Sequence, residues 1–191
     1  VRQQSVHSSI SNERDSILTR DKLSEASLNI LAMIGQNAKS CIDQPESCIS
    51  QLQQNPSEQI YSTASELYLA KAQQLAHTPN CKISEKLPKN AQQQQQYNQN
   101  CLKPQIALLD QSIRYSYAYL FHSNRSAQQR IFDNRQVQVR DFYNQAIALF
   151  ISNRNMQNDQ QDNLKNNLNN RSFQNYQVDY REYPELIHQP I

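Results

Sequence analysis

The chain carries a single glycine, Gly35, among 191 residues. Phosphate-cradling loops, dinucleotide fingerprints and the strand-to-helix turn of a nucleophile elbow need glycine wherever backbone approaches a ligand or adopts positive φ. None of them can be built here. Helices lose stability at internal glycine and use it mainly at C-terminal caps, so the scarcity points to an all-α fold. Long apolar runs are missing too: nowhere do eighteen apolar residues follow one another, and no transmembrane span is expected. Hydrophobic residues make up 37%, below the usual globular share, and Asn and Gln fill the deficit. Neither sign of charge dominates. With a net charge of +2 and its Lys and Arg scattered among acids, the chain implies neither nucleic acid nor an acidic membrane surface as partner.

Metal-ligand spacing is sparse too, since no CxxC occurs and among His and Cys only His77 and Cys81 stand at i and i+4; no metal and no cofactor are expected. The four cysteines are Cys41, Cys48, Cys81 and Cys101. Pairing Cys41 with Cys48 and Cys81 with Cys101 would staple two local excursions, at roughly 2–3 kcal/mol apiece in the chain-entropy model. The alternative is four unpaired buried thiols in a cytosolic protein. Disulfides persist in oxidising compartments, so the pairing implies a periplasmic, outer-membrane-associated or secreted protein. No signal peptide stands at Val1, which fits a cytosolic chain or one that starts at a processed or engineered residue, and the cysteines favour the second.

What is present is helical periodicity. Ile106, Leu109, Ile113, Tyr117 and Leu120 recur at steps of three and four, as do Val139, Phe142, Ala146, Leu149 and Phe150. Two such stripes over Gln105–His122 and Asn134–Ser152 should pack as an antiparallel core pair, because neither can bury its face alone. Upstream, Ser24 is placed to cap a helix over Ser24–Ile34 that Gly35 closes, with Leu23 and Leu28 as a hydrophobic staple. Pro45 starts a short helix within Cys41–Asn55 that buries Cys48, Ile49 and Leu52. Ser57–His77 reads as a strong helix with Ile60, Ala64, Leu67, Tyr68 and Leu75 on one face and Glu66, Lys71 and Gln74 on the other. Small Ala64, Ala70 and Ala72 would let a neighbour approach closely.

The remaining stretches are polar. Residues 1–22 read as an extended arm. Residues 80–101, with the Gln92–Gln96 run, read as a solvated loop tied at its base by Cys81 and Cys101. From 153 to 191 the composition fits a polar linker or weak helix, then a strand-like tail with Phe173, Tyr176, Val178 and Tyr180 in partial alternation. The predicted fold is thus an irregular all-α bundle of about five helices over 23–152, with arm and tail on either side.

Candidate chemistry is sparse. Arg125, Arg130, Arg135 and Arg140 recur every five residues, a spacing that holds no helical face, and read as a solvated rim rather than an anion site. The cluster Tyr115, Tyr117, Tyr119, Phe121, Phe132, Phe142 and Tyr143 reads as core before it reads as a ligand pocket. His7, His77, His122 and His188 have no nearby Ser/Asp arrangement, there is no Gly-x-Ser-x-Gly, and Asp159 and Asp162 lie in polar sequence where no pocket would shift a pKa. No catalytic residue is assigned.

Several phrases carry a resemblance. Ile17-Leu18-Thr19-Arg20-Asp21-Lys22-Leu23-Ser24 leads into the first helix. It is followed by Ser65-Glu66-Leu67-Tyr68-Leu69-Ala70, by Tyr115-Ser116-Tyr117-Ala118-Tyr119-Leu120-Phe121, by Phe132-Asp133-Asn134-Arg135, and by Val139-Arg140-Asp141-Phe142-Tyr143-Asn144-Gln145-Ala146. In this order they resemble the helical region that precedes the catalytic domain in a group of exported bacterial α/β-hydrolase-like (esterase/lipase-like) proteins, over about 17–152. The resemblance implies a non-catalytic accessory domain that positions or covers a catalytic domain outside these residues, its partner being that domain of the same parent chain. The alternative is a free-standing envelope adaptor that binds another envelope protein; no repeat period of the kind stacked helix-pair arrays show supports it.

Overall fold

The structure, a computed structural model, describes residues 23–164 apart from 56, 83–89 and 123–124, and side chains as far as 159. The arm expected over 1–22 and the strand-like stretch at Phe173, Tyr176, Val178 and Tyr180 lie outside the described residues. Within them all regular structure is helical: α1 (Glu25–Ala32), α2 (Ala38–Asp43), α3 (Pro45–Leu52), α4 (Glu58–Ala76), α5 (Ala91–Tyr97), a π-helical turn (Asn98–Leu102), α6 (Lys103–Phe121), α7 (Ala127–Phe132) and α8 (Asn134–Leu164).

Local chemistry sets the ends of the first helices. Ser24 caps α1 by accepting from the Ser27 N–H. Gly35, at φ +69, lets the Gln36 N–H turn back to the Leu31 carbonyl at 3.0 Å, a Schellman closure that a side chain would strain. Leu28 is 39% exposed while Leu23 is buried, so the expected staple is loose at its helical end. One short helix was expected over Cys41–Asn55, whereas two form. Gln44 precedes Pro45 and adopts φ −132, ψ 68, since a residue before proline is pushed out of the helical region. The Cys41–Cys48 disulfide, Cα–Cα 5.6 Å, bridges that break.

The centre of the molecule is α4, not the predicted pair. Every residue from Ser62 to Ala70 is buried, as expected of a helix enclosed on all sides. One face of α4, with Ile60, Ala64, Leu67 and Tyr68, packs on α1–α3 through Leu31, Ile42, Ile49 and Leu52. The other, with Leu69 and Ala72, joins Leu109, Ile113, Leu120, Val139, Tyr143 and Phe150 of α6 and α8. Buried serines are satisfied by helix carbonyls: Ser65 Oγ donates to Ser62 O at 2.8 Å, and Ser112 Oγ crosses from α6 to Ser65 O at 2.8 Å. Both pairings of α6 are antiparallel. Gln105 bonds Asn153 at one end of the α6–α8 pair, and Tyr119 bonds Asp133 at the other.

The expected solvated loop at 80–101 is half helix. Asn90 caps α5 by accepting from the Gln93 N–H at 2.8 Å, and α5 runs through the π turn into α6. Because α5 buries no side chain, it leaves no apolar period in the sequence; its glutamines are simply good helix formers. Opposite it, α8 continues to Leu164 rather than stopping near Ser152. Amides replace apolar contacts there: Asn153 Nδ2 donates to Gln105 Oε1 at 3.3 Å and Gln157 Nε2 to Asn98 Oδ1 at 2.6 Å. Cys81 and Cys101, Cα–Cα 5.2 Å, join the chain after α4 to the π turn.

Candidate functional site

The most polar part of the interior lies where α1, α4, α6 and α8 meet. Glu66, in the enclosed stretch of α4, accepts from both the N–H and the hydroxyl of Ser24, at 2.9 and 2.6 Å, and so sits at the start of α1, where partial positive charge gathers. Arg135, in the first turn of α8, donates to Ser24 Oγ at 2.9 Å, Ser27 Oγ at 2.7 Å and Gln138 Oε1 at 3.0 Å, and stands 3.9 Å from Glu66. Only 6% of its side chain is exposed. Burial pulls its guanidinium below the ordinary value, while Glu66, Tyr119 and Asp133 pull the other way.

Asp133 links this centre to a second arginine. Its Oδ1 accepts from the Arg135 N–H at 2.9 Å, capping α8, and its Oδ2 accepts from Tyr119 Oη at 3.1 Å and from Arg125 at 3.3 Å. Arg125 lies over the Tyr119 ring, 3.8 Å from its centroid, and also donates to Tyr119 O at 2.7 Å and to Gln136 Oε1. Glu58 Oε2 is 3.7 Å from its Nε. Burial pushes the Tyr119 phenol up to about 12, with Arg125 opposing and Asp133 adding to the rise.

Arg125 and Arg135 are therefore not part of a solvated rim, and Glu66 is not on a polar face. The physical reason is mutual: where four helices converge the guanidinium groups of Arg125 and Arg135 meet Glu66 and the half-buried Asp133 and Glu58, so the two arginines and Glu66 tolerate burial that none would tolerate alone. One signal was available in sequence. Glu66 is the only charged residue between Glu58 and Lys71, and a lone charge in so small and apolar a stretch calls for a distant partner.

Chemically the network fixes helix junctions. Ser24 is engaged by Glu66, Arg135 and the Ser27 N–H at once, which leaves its oxygen no lone pair for attack. His77 and His122 sit at the C-terminal ends of α4 and α6, and Asp159 lies exposed on α8. Among the described residues no three His, Cys, Asp or Glu stand where they could hold a metal ion. Nor is any described helix long and apolar enough to cross a membrane.

What the network carries is α7. This helix has a capping box, Ser126 and Gln129 bonding reciprocally at 2.8 and 3.2 Å, yet none of its residues is buried. Ile131 is 70% exposed and Phe132 78%. The second is a correction to its place in the expected aromatic core; Tyr119 and Tyr143 are fully buried there, with Tyr117, Phe121 and Phe142 packed against them. Arg125 just before α7 and Asp133 just after it hold the helix from both ends while its two large apolar side chains face solvent.

Compared with family models, curated proteins and solved structures, the chain matches none.

Proposed function

We propose that this chain is a non-catalytic helical interaction domain of a protein that works in an oxidising compartment, and that α7 presents Ile131 and Phe132 to a protein partner. The observation that carries this reading is a helix that contributes nothing to the core and whose two ends are nonetheless joined by the half-buried ion pair of Arg125 and Asp133. Ordering such a helix costs conformational entropy that its own burial does not offset, and its exposed aromatic–aliphatic pair has the composition of an interface anchor. Two disulfides support the compartment. The resemblance to exported α/β-hydrolase-like proteins supplies the finer reading, in which the partner is the catalytic domain of a longer parent chain, periplasmic, outer-membrane-associated or secreted, and the helical domain positions or covers it.

The intact mass of the protein from its natural source, before and after reduction and alkylation, tests that reading. A mass well above 22.2 kDa, with two disulfides, is expected. A mass equal to that of these residues would shift the reading to a free-standing envelope adaptor. Ester hydrolysis that co-purifies with the chain through successive columns would overturn the non-catalytic assignment.

A further inference from the structure

The two disulfides sit in different surroundings. Cys41 and Cys48 belong to the apolar cluster that α4 shares with α1–α3, whereas Cys81 and Cys101 belong to neither apolar cluster. Cys101 is fully buried in the π turn, and Cys81, just after α4, is 8% exposed. The chain between them includes α5, which buries no side chain. Releasing α5 therefore uncovers little apolar surface, while opening Cys41–Cys48 disturbs a packed core. Reclosure differs as well: a loop of 20 residues closes roughly fivefold less readily than one of 7.

A polar group also faces the sulfurs. Gln105 Nε2, one turn along the helix from Cys101, donates to Cys101 Sγ at 2.9 Å and lies 3.6 Å from Cys81 Sγ. Its amide is held in that orientation, because Oε1 accepts from Asn153 Nδ2 of α8 at 3.3 Å. Gln105 is itself buried, so little water competes for the N–H. A disulfide sulfur is a weak acceptor, but a thiolate carries a full charge and takes a much stronger bond from the same donor. The donor thus contributes more after the S–S bond breaks than before, and it favours Cys101 as the sulfur that leaves.

We propose that Cys81–Cys101 is a redox latch: thiol–disulfide exchange with a dithiol reductant at Cys81 opens it, Gln105 stabilises the departing Cys101 thiolate, and α5 with the π turn is freed while the helical bundle stays folded. A thiolate of the reductant attacks Cys81 Sγ; the S–S bond breaks, and its electron pair goes to Cys101 Sγ. The reductant's second thiol, having lost its proton to solvent, then displaces Cys81 from the mixed disulfide. Two electrons and two protons pass from the dithiol to the two cysteines, and the reductant leaves as its own disulfide. In the latched state Cys81 ties the end of α4 to the turn that joins α5 to α6, and Gln157 of α8 bonds Asn98 of that turn at 2.6 Å. Once unlatched, α5 is held by amide contacts alone. The latch requires no partner on α7, so this inference and the proposed function fail separately.

The test uses the full disulfide-bonded chain, equilibrated without denaturant in dithiothreitol at graded ratios of reduced to oxidised form, quenched with acid, alkylated and mapped by mass. A species with Cys81 and Cys101 alkylated and Cys41–Cys48 intact is expected at the lowest ratios that reduce anything. With glutathione in place of the dithiol, the trapped mixed disulfide should lie on Cys81. Neither measurement needs a variant. Gln105→Met, close in volume but without the donor, should slow reduction by dithiothreitol roughly fivefold to tenfold. The sign decides between roles, because a glutamine that merely held the segment in place would, once replaced, leave the disulfide easier to reach and faster to reduce. Hydrogen exchange of the partly reduced chain should accelerate in α5 and the π turn and stay unchanged in α4. Reduction of Cys41–Cys48 first or of both at the same ratio, a glutathione adduct on Cys101, faster or unchanged reduction of the Gln105→Met chain, or unaltered protection in α5 would each overturn the proposal.

Discussion

Arg135 Nη2 donates to Ser27 Oγ at 2.7 Å across 108 residues of chain, tying the first turn of α8 to the first turn of α1. The same guanidinium faces Glu66, so its removal leaves that carboxylate buried without a cation. Arg135→Ala should destabilise by about 3–5 kcal/mol, because breaking a buried pair strands its partner. Glu66→Leu combined with Arg135→Leu should cost much less than the two single changes together, since neither charge is then left alone. Urea denaturation of the four proteins checks this; additive effects would mean that the pair does not act as a unit.

Phe132 and Phe150 separate the two uses of aromatic residues in this chain. Phe150 is fully buried among α4, α6 and α8, whereas Phe132 is 78% exposed. Phe150→Ala should cost about 3–5 kcal/mol. Phe132→Ala should change stability by less than about 0.5 kcal/mol and, where α7 docks a partner, weaken that docking. Equal losses of stability in thermal melts of the two variants would place Phe132 in the core and remove the basis for the α7 proposal.

These two residues also mark what the sequence could and could not reveal. Stripes such as Ile106, Leu109 and Ile113 against Val139, Ala146 and Phe150 announce buried helix faces, because burial imposes the helical period on apolar residues. Ser24, Gly35 and Pro45 likewise announce helix ends through backbone chemistry that is local. Where helices form without apolar burial, as in α5 and the end of α8, amide pairs such as Gln157 with Asn98 hold them, and such pairs leave no period to read. The ion network was hidden for another reason. Arg135, Glu66 and Ser24 lie in three separate helices, and local spacing can say only that an arginine fits no helical stripe, not that a carboxylate 69 residues away awaits it.

Both disulfides close loops, but they differ in what they hold. Cys41–Cys48 spans 7 residues inside a well-packed cluster, while Cys81–Cys101 spans 20 and ties down α5, which buries nothing. Cys41→Ala with Cys48→Ala should lower global stability by about 2–3 kcal/mol, and Cys81→Ala with Cys101→Ala by about 3 kcal/mol. The second pair of changes should also release the amides of α5 to exchange faster than those of α4. Unchanged protection in α5 on hydrogen exchange would show that the Asn and Gln contacts alone keep it folded.

Alkaline titration should expose Tyr68 and Tyr119. Burial is the main cause that pushes each phenol up to about 12, and Tyr68 gains further from Tyr115 and Glu46. An unfolded tyrosine ionises near 10. Below that pH both states hold the proton, and the stabilisation due to the raised pKa is fully present. Between about 10 and 12 the unfolded chain binds fewer protons than the folded one, so stability falls as pH rises, by about 1.4 kcal/mol per tyrosine at about pH 11 relative to about pH 9. Tyr68→Phe is the cleaner variant, since its hydroxyl bonds no described residue; stability near neutrality should hold and the alkaline slope should flatten. Tyr119→Phe also loses the 3.1 Å bond to Asp133 and should be less stable at every pH, with the same flattening. A slope in urea titrations that neither substitution reduces would assign the alkaline loss to other groups.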